Sequence, residues 1–175
     1  MNNMLWEKHW RYCRLLEQEL DEMGVYIEFD PLNFQCFSIK LLRLINSAMS
    51  EFEVVSKEIC ANINNDINAE KLNISQIRDI ILKEFPDLIQ TEVKVLDMNY
   101  SFHPFTGWDQ KPRLDWWDSY NSLKHDRNNN FNKANLLQAI KSVAVLKVMV
   151  MILRKYSSTW MPATTWTLLQ VQENW

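Results

Sequence analysis

Residues 34–63 read FQCFSIKLLRLINSAMSEFEVVSKEICANI. Phe37, Leu41, Leu44, Ile45, Ala48, Phe52, Val55 and Ile59 recur along this run mostly at steps of three and four, which on a helix places them in one stripe. The run is longer than an ordinary strand, so the spacing predicts a long central helix over 34–63 with other helices packed against its apolar side. Upstream, Leu5, Trp6, Trp10, Cys13, Leu16 and Leu20 keep the same period and predict a helix over 4–23, with Gly24 suited to its C-terminal cap. Downstream, an asparagine-rich loop at 62–68 precedes Asn73, which opens a third helix that runs to about Glu84 and stops ahead of Pro86. Residues 113–127 and 132–156 return to helical spacing, separated by Asn128, Asn129 and Asn130.

Only 91–110 lacks a helical period. Val93 and Val95 alternate with Glu92 and Lys94 as in a short strand, and an aromatic loop with Phe102, Phe105 and Trp108 follows among Pro104, Gly107 and Pro112. The expected fold is therefore all-α: a bundle of about five helices with one long aromatic loop or short hairpin near 91–112. A single domain covers 1–156. The remaining residues, 157–175, form a tail with Trp160, Trp166 and Trp175 that packs on the domain or on a partner.

Composition narrows the function. Only Gly24 and Gly107 are glycine, too few for the tight turns of a barrel or sandwich, and no segment can form a glycine-rich phosphate cradle. No nucleotide cofactor of those classes is expected. Cys13, Cys36 and Cys60 are odd in number and never in a C-x-x-C pair, so they read as reduced core thiols rather than disulfides or zinc ligands. The N-terminus carries Glu7, Lys8, Arg11 and Arg14 among its apolar residues, unlike a secretory signal, and the apolar stretch 142–153 is interrupted by Lys147. A cytoplasmic location without membrane attachment is expected. Net charge is −3, but residues 1–99 hold 10 Lys or Arg against 17 Asp or Glu, whereas residues 100–159 hold 9 against 4. The basic second half either meets phosphates or is attracted to the acidic first half across the fold.

Chemistry concentrates in the second half. On a continuing helix, Asn121, His125 and Asn128 share one stripe, and Tyr120, Lys124 and Arg127 the next. An imidazole is the side chain suited to proton transfer in such a site, which makes His125 the candidate acid or base, while Lys124 and Arg127 can neutralise phosphate or a developing negative charge, together the equipment of phosphodiester cleavage. His9 and His103 are remote in sequence and no H-x-x-x-H spacing exists, so no metal is expected. The plainer alternative makes His125 a structural hydrogen-bonder, Lys124 and Arg127 a solvated face, and Trp116 and Trp117 core aromatics rather than a stacking platform for bases.

The string from Leu114 to Arg127, LDWWDSYNSLKHDR, followed by Phe131 and by Ala134, Asn135 and Leu136, resembles a HEPN domain. It is similar to bacterial and phage-associated proteins with a W-W-x-x-Y-N-x-x-K-H-x-R segment before an A-N-L helix, and Pro104, Phe105 and Trp108 fit the same pattern. The resemblance spans about a third of the chain. It implies a small helical homodimer with a metal-independent endoribonuclease site at the two-fold interface, plausibly a toxin or phage-defence effector with an antitoxin or other protein partner. In it, His125 acts on the ribose phosphate backbone, Asn121 orients it, and an Arg is expected where this chain has Tyr120. That departure leaves two readings. Either Arg127 and Lys124 have taken over the basic role, with Glu51 of the long helix as a polar partner, or the domain is a non-catalytic module that binds RNA or protein through its dimer interface, its aromatic loop and its tail.

Overall fold

The computed structural model describes residues 4–157 and 168–175. Its helices are α1 (Met4–Glu22), α2 (Ile39–Ile63), α3 (Ile74–Glu84), α4 (Asp115–His125), α5 (Arg127–Asn130) and α6 (Leu136–Arg154). Three short strands, β1 (Val93–Val95), β2 (Tyr100–Phe102) and β3 (Leu169–Val171), form one antiparallel sheet in the order β2-β1-β3. The protein is thus mostly helical rather than all-α. The expected hairpin is present, with Val93 opposite Phe102 and Val95 opposite Tyr100. Its third strand comes from the tail, where Leu169 pairs with Val95 and Val171 with Val93. Trp160 and Trp166 lie outside the described residues, whereas Trp175 is half-buried against the core.

α2 is the axis of the fold and touches α1, α3, α4 and α6. At 25 residues it is about 37 Å long. It starts later than its apolar period suggests, because the Ser38 hydroxyl caps it by accepting from the Leu41 amide at 3.1 Å. Residues ahead of that cap pair elsewhere: the Leu136 amide donates to the Cys36 carbonyl and the Ser38 amide to the Ala134 carbonyl. α6 is apolar on all sides and is covered accordingly. By length and composition it could cross a membrane, the one such helix among the described residues, but 78% of its most apolar window is buried inside the fold.

Other ends follow local chemistry. Asn73 and Gln76 form a reciprocal capping box on α3, and Phe85 with Pro86 closes that helix. α1 ends in a 3-10 turn, Met23–Val25, not in a left-handed glycine cap. The hairpin turns at Asn99, φ 46°, a residue type that tolerates the left-handed region. Gly107 adopts φ +79°, a conformation that a side chain would strain.

The aromatic loop is core. Phe105 and Trp108 are fully buried against Trp116, whose indole Nε1 donates to the Pro104 carbonyl at 2.8 Å, and Trp116 meets Phe52 of α2 edge-on. These rings hold α4 against α2, so Phe105 and Trp108 serve packing. The cysteines divide: Cys13 and Cys60 are buried thiols pushed up to about 12, foremost by burial, whereas Cys36 is exposed, contrary to its expected place in the core.

A polar seam runs through the helices. His9 Nδ1 faces Glu51 Oε1 at 2.5 Å and His9 Nε2 faces Glu58 Oε2 at 2.9 Å, so both ring nitrogens act as donors when the imidazole is protonated. The hydrogen bond to Glu51 raises the His9 pKa most, burial opposes it, and the charges of both carboxylates add to the rise. A folded-state value above the unfolded one stabilises fully below about pH 6.5 and stops doing so as pH rises through the folded-state value. The urea midpoint of the wild type should therefore fall as pH rises from about 6.5. The same titration of His9→Gln should lack this component, and equal slopes for the two proteins would remove the role given to His9.

Candidate functional site

The cleft that collects most of the expected residues is built by the corner between α4 and α5 and by the side of α2. α4 carries Tyr120, Lys124 and His125, and its register is fixed by Trp116, Trp117, Tyr120 and Leu123, all buried. The chain then breaks at Asp126, φ −147°, ψ 61°, so Arg127 and Asn128 belong to the separate turn α5 instead of continuing the stripes of α4. Asp126 holds this corner together. Its carboxylate accepts from the Asn129 side-chain amide at 2.9 and 3.0 Å, and its carbonyl accepts from that of Asn130 at 2.8 Å. Beyond the corner Asn135 caps α6 by accepting from the Gln138 amide at 3.0 Å. The Ala134-Asn135-Leu136 motif is thus a helix start whose flanking carbonyl and amide also fasten the segment before α2.

That fastening ties the start of α2 to the start of α6, and Phe52 against Trp116 and Trp117 sets α2 beside α4. Between them lies an open cleft of about 610 Å³, lined by Tyr120, Leu123, Lys124, His125, Asp126, Arg127 and Asn128, with Asn46 and Ser50 of α2 on the facing side. His125 is exposed and makes no hydrogen bond or ion pair to a described residue. This overturns the alternative in which it is a buried structural hydrogen-bonder. Arg127 is likewise exposed and unpaired among the described residues. Other cations nearby are committed: Lys133 donates to the Ser122 hydroxyl at 2.8 Å, Lys141 to Asp115, and Arg113 lies 3.3 Å from Asp118.

Lys124 is exposed, with its ammonium 5.3 Å from the centre of the Tyr120 ring and 3.4 Å from the hydroxyl. The contact with that hydroxyl raises its pKa, and the charge of Glu53 adds to the rise. Lys124 therefore carries its positive charge at neutral pH. Tyr120 is buried edge-on to Trp117. Its position serves packing, and its ring anchors Lys124.

Four expected residues stand apart. Asn121 does not line the cleft. Trp116 and Trp117 are core side chains that support α4 from behind. Glu51 turns to His9 on α1 instead of joining the cleft. Conversely, Asn46 and Ser50 were not anticipated. They follow each other by four residues on the less buried side of α2, a spacing visible in sequence but without meaning until α4 is set beside it. Among the described residues no group of three or more His, Cys, Asp or Glu is arranged to hold a metal ion.

No protein-family model, curated protein or solved structure matches this chain. Its functional reading rests on the residues of the cleft and on the resemblance carried by the Leu114 to Leu136 segment.

Proposed function

We propose that the cleft binds the backbone of single-stranded RNA and that the chain is a metal-independent endoribonuclease of HEPN type. One observation carries the reading: His125, exposed and unpartnered among the described residues, shares an open cleft with the cationic side chains of Lys124 and Arg127. In the proposed reaction the ribose 2′-oxygen forms a bond to the adjacent phosphorus while the bond from phosphorus to the 5′-oxygen breaks. An imidazole takes the proton of the 2′-hydroxyl, and an imidazolium gives one to the departing 5′-oxygen. Two copies of the chain, paired so that their clefts meet, supply both groups from His125. Lys124 and Arg127 stabilise the charge that grows on the phosphoryl oxygens. The products carry a 2′,3′-cyclic phosphate and a 5′-hydroxyl.

The burial of Tyr120, at the position where the resemblance leads one to expect Arg, supports a second reading in which the same cleft holds RNA without cutting it. The test is incubation of the purified protein with mixed RNA in excess chelator, followed by analysis of product ends. Cyclic-phosphate ends that vanish in His125→Ala are the expected result. RNA bound but left intact by the wild type selects the second reading, and neither binding nor cleavage ends both.

A further inference from the structure

The two walls of the cleft differ in charge. Lys124 and Arg127 line one side together with Asp126, whose carboxylate is taken up by the Asn129 side chain, whereas Asn46 and Ser50, both neutral and able to donate and accept hydrogen bonds, line the other. The Asn46 amide oxygen is enclosed and meets no donor among the described residues. An acceptor left so gains by turning its amide toward a donor brought by a ligand. One turn before Asn46, Arg43 is exposed and makes no ion pair or hydrogen bond to a described residue. Positions three apart on a helix are surface neighbours, so Arg43 extends the α2 wall beyond the cleft by about 4.5 Å along the helix axis.

We propose that α2 forms a nucleotide-reading track, in which Asn46 and Ser50 engage a ribose 2′-hydroxyl and Arg43 takes the phosphate next to the one held by Lys124 and Arg127. The inference rests on the RNA reading above and adds to it the orientation of the strand, backbone toward α4 and sugar toward α2. A 2′-hydroxyl both donates and accepts, as the Asn46 amide and the Ser50 hydroxyl do, and it is the group that separates RNA from DNA at one site. The cationic side chains, by contrast, hold phosphates of either polymer and do so in a salt-dependent way.

The two roles therefore leave different marks on binding. With cleavage silenced by His125→Ala and chelator present, a short labelled single-stranded RNA and the DNA of the same sequence are titrated by fluorescence anisotropy between about 50 and 200 mM salt. Arg43→Gln, at an exposed position that does not threaten folding, should lower the slope of log affinity against log salt by about 0.7 for both polymers. Asn46→Ala and Ser50→Ala should each weaken RNA binding by about five- to tenfold, leave DNA binding unchanged and keep the salt slope. Ser50 is exposed, so its variant guards against loss of fold in Asn46→Ala. If Lys124→Gln lowers the slope while Arg43→Gln, Asn46→Ala and Ser50→Ala match the parent, the cleft binds RNA and the α2 track is wrong. If the parent binds no RNA, the track and the reading on which it rests both fail.

Discussion

Lys147→Ala is expected to lower the stability of the folded chain by about 3 to 5 kcal/mol, read from the urea midpoint at neutral pH. Lys147 lies in the middle of α6 and is only 5% exposed, and its ammonium donates to both carboxylate oxygens of Glu17 at 2.9 Å and to the Leu169 carbonyl at 2.6 Å. The Leu169 amide in turn donates to Glu17 Oε1 at 2.8 Å. One ammonium thus joins α1, α6 and the strand that completes the sheet. Shortening it strands a buried carboxylate without its countercharge, which costs more than the intact pair contributes. The double variant Glu17→Gln, Lys147→Met removes both charges and should recover part of the loss. Amide exchange at Leu169 should quicken in the single variant, because β3 loses its anchor to the helices. A single variant within about 1 kcal/mol of wild type would mean that the Glu17–Lys147 pair contributes little to the fold.

Buried polar groups of this kind also mark where the sequence stops being legible. The helices were readable because burial acts on side-chain period, and Leu41, Leu44, Ile45, Ala48 and Phe52 repeat it plainly on α2. The start of α3 was readable because Asn73 and Gln76 carry a local signal that needs no distant partner. His9, Glu17 and Lys147 look like surface charges by residue type, and only the packing of α1 against α2 and α6 turns them inward. β3 is three residues long and has no period of its own; its identity comes from β1, far away in sequence. The break at Asp126 was hidden for a related reason. The spacing of Tyr120, Lys124 and Arg127 suits a continuing helix, but side-chain hydrogen bonds from Asn129 and Asn130 hold Asp126 in a corner.

The cleft was legible on one wall and not on the other. Lys124, His125 and Arg127 were singled out by chemistry, and the fold brings them to one cleft although the helical stripes that suggested it end at His125. Glu51 lies away from the cleft, because position 51 faces α1 while positions 46 and 50 face α4. On a helix one step turns a side chain by about 100°, enough to exchange one neighbour for another.

His125→Ala is expected to slow the proposed RNA cleavage by about 10² to 10⁴-fold, the range a positioned proton-transfer group contributes. Its effect on folding should be within about 0.5 kcal/mol, since the side chain is exposed and no hydrogen bond to a described residue is lost. The pairing of a large kinetic effect with a negligible thermal shift is what separates chemistry from structure, because a buried histidine that held the bundle together would move both. Arg127→Ala provides the second comparison. Its loss removes a charge from the cleft but no proton-transfer group, so it should leave the pH dependence of cleavage in place while lowering the rate and weakening binding in low salt. Lys124→Gln tests the same wall from the α4 side, where Tyr120 anchors the ammonium. If wild type and His125→Ala both bind RNA without cutting it while Arg127→Ala and Lys124→Gln release it, the cleft is a binding surface and the two basic side chains, not the imidazole, define what it does.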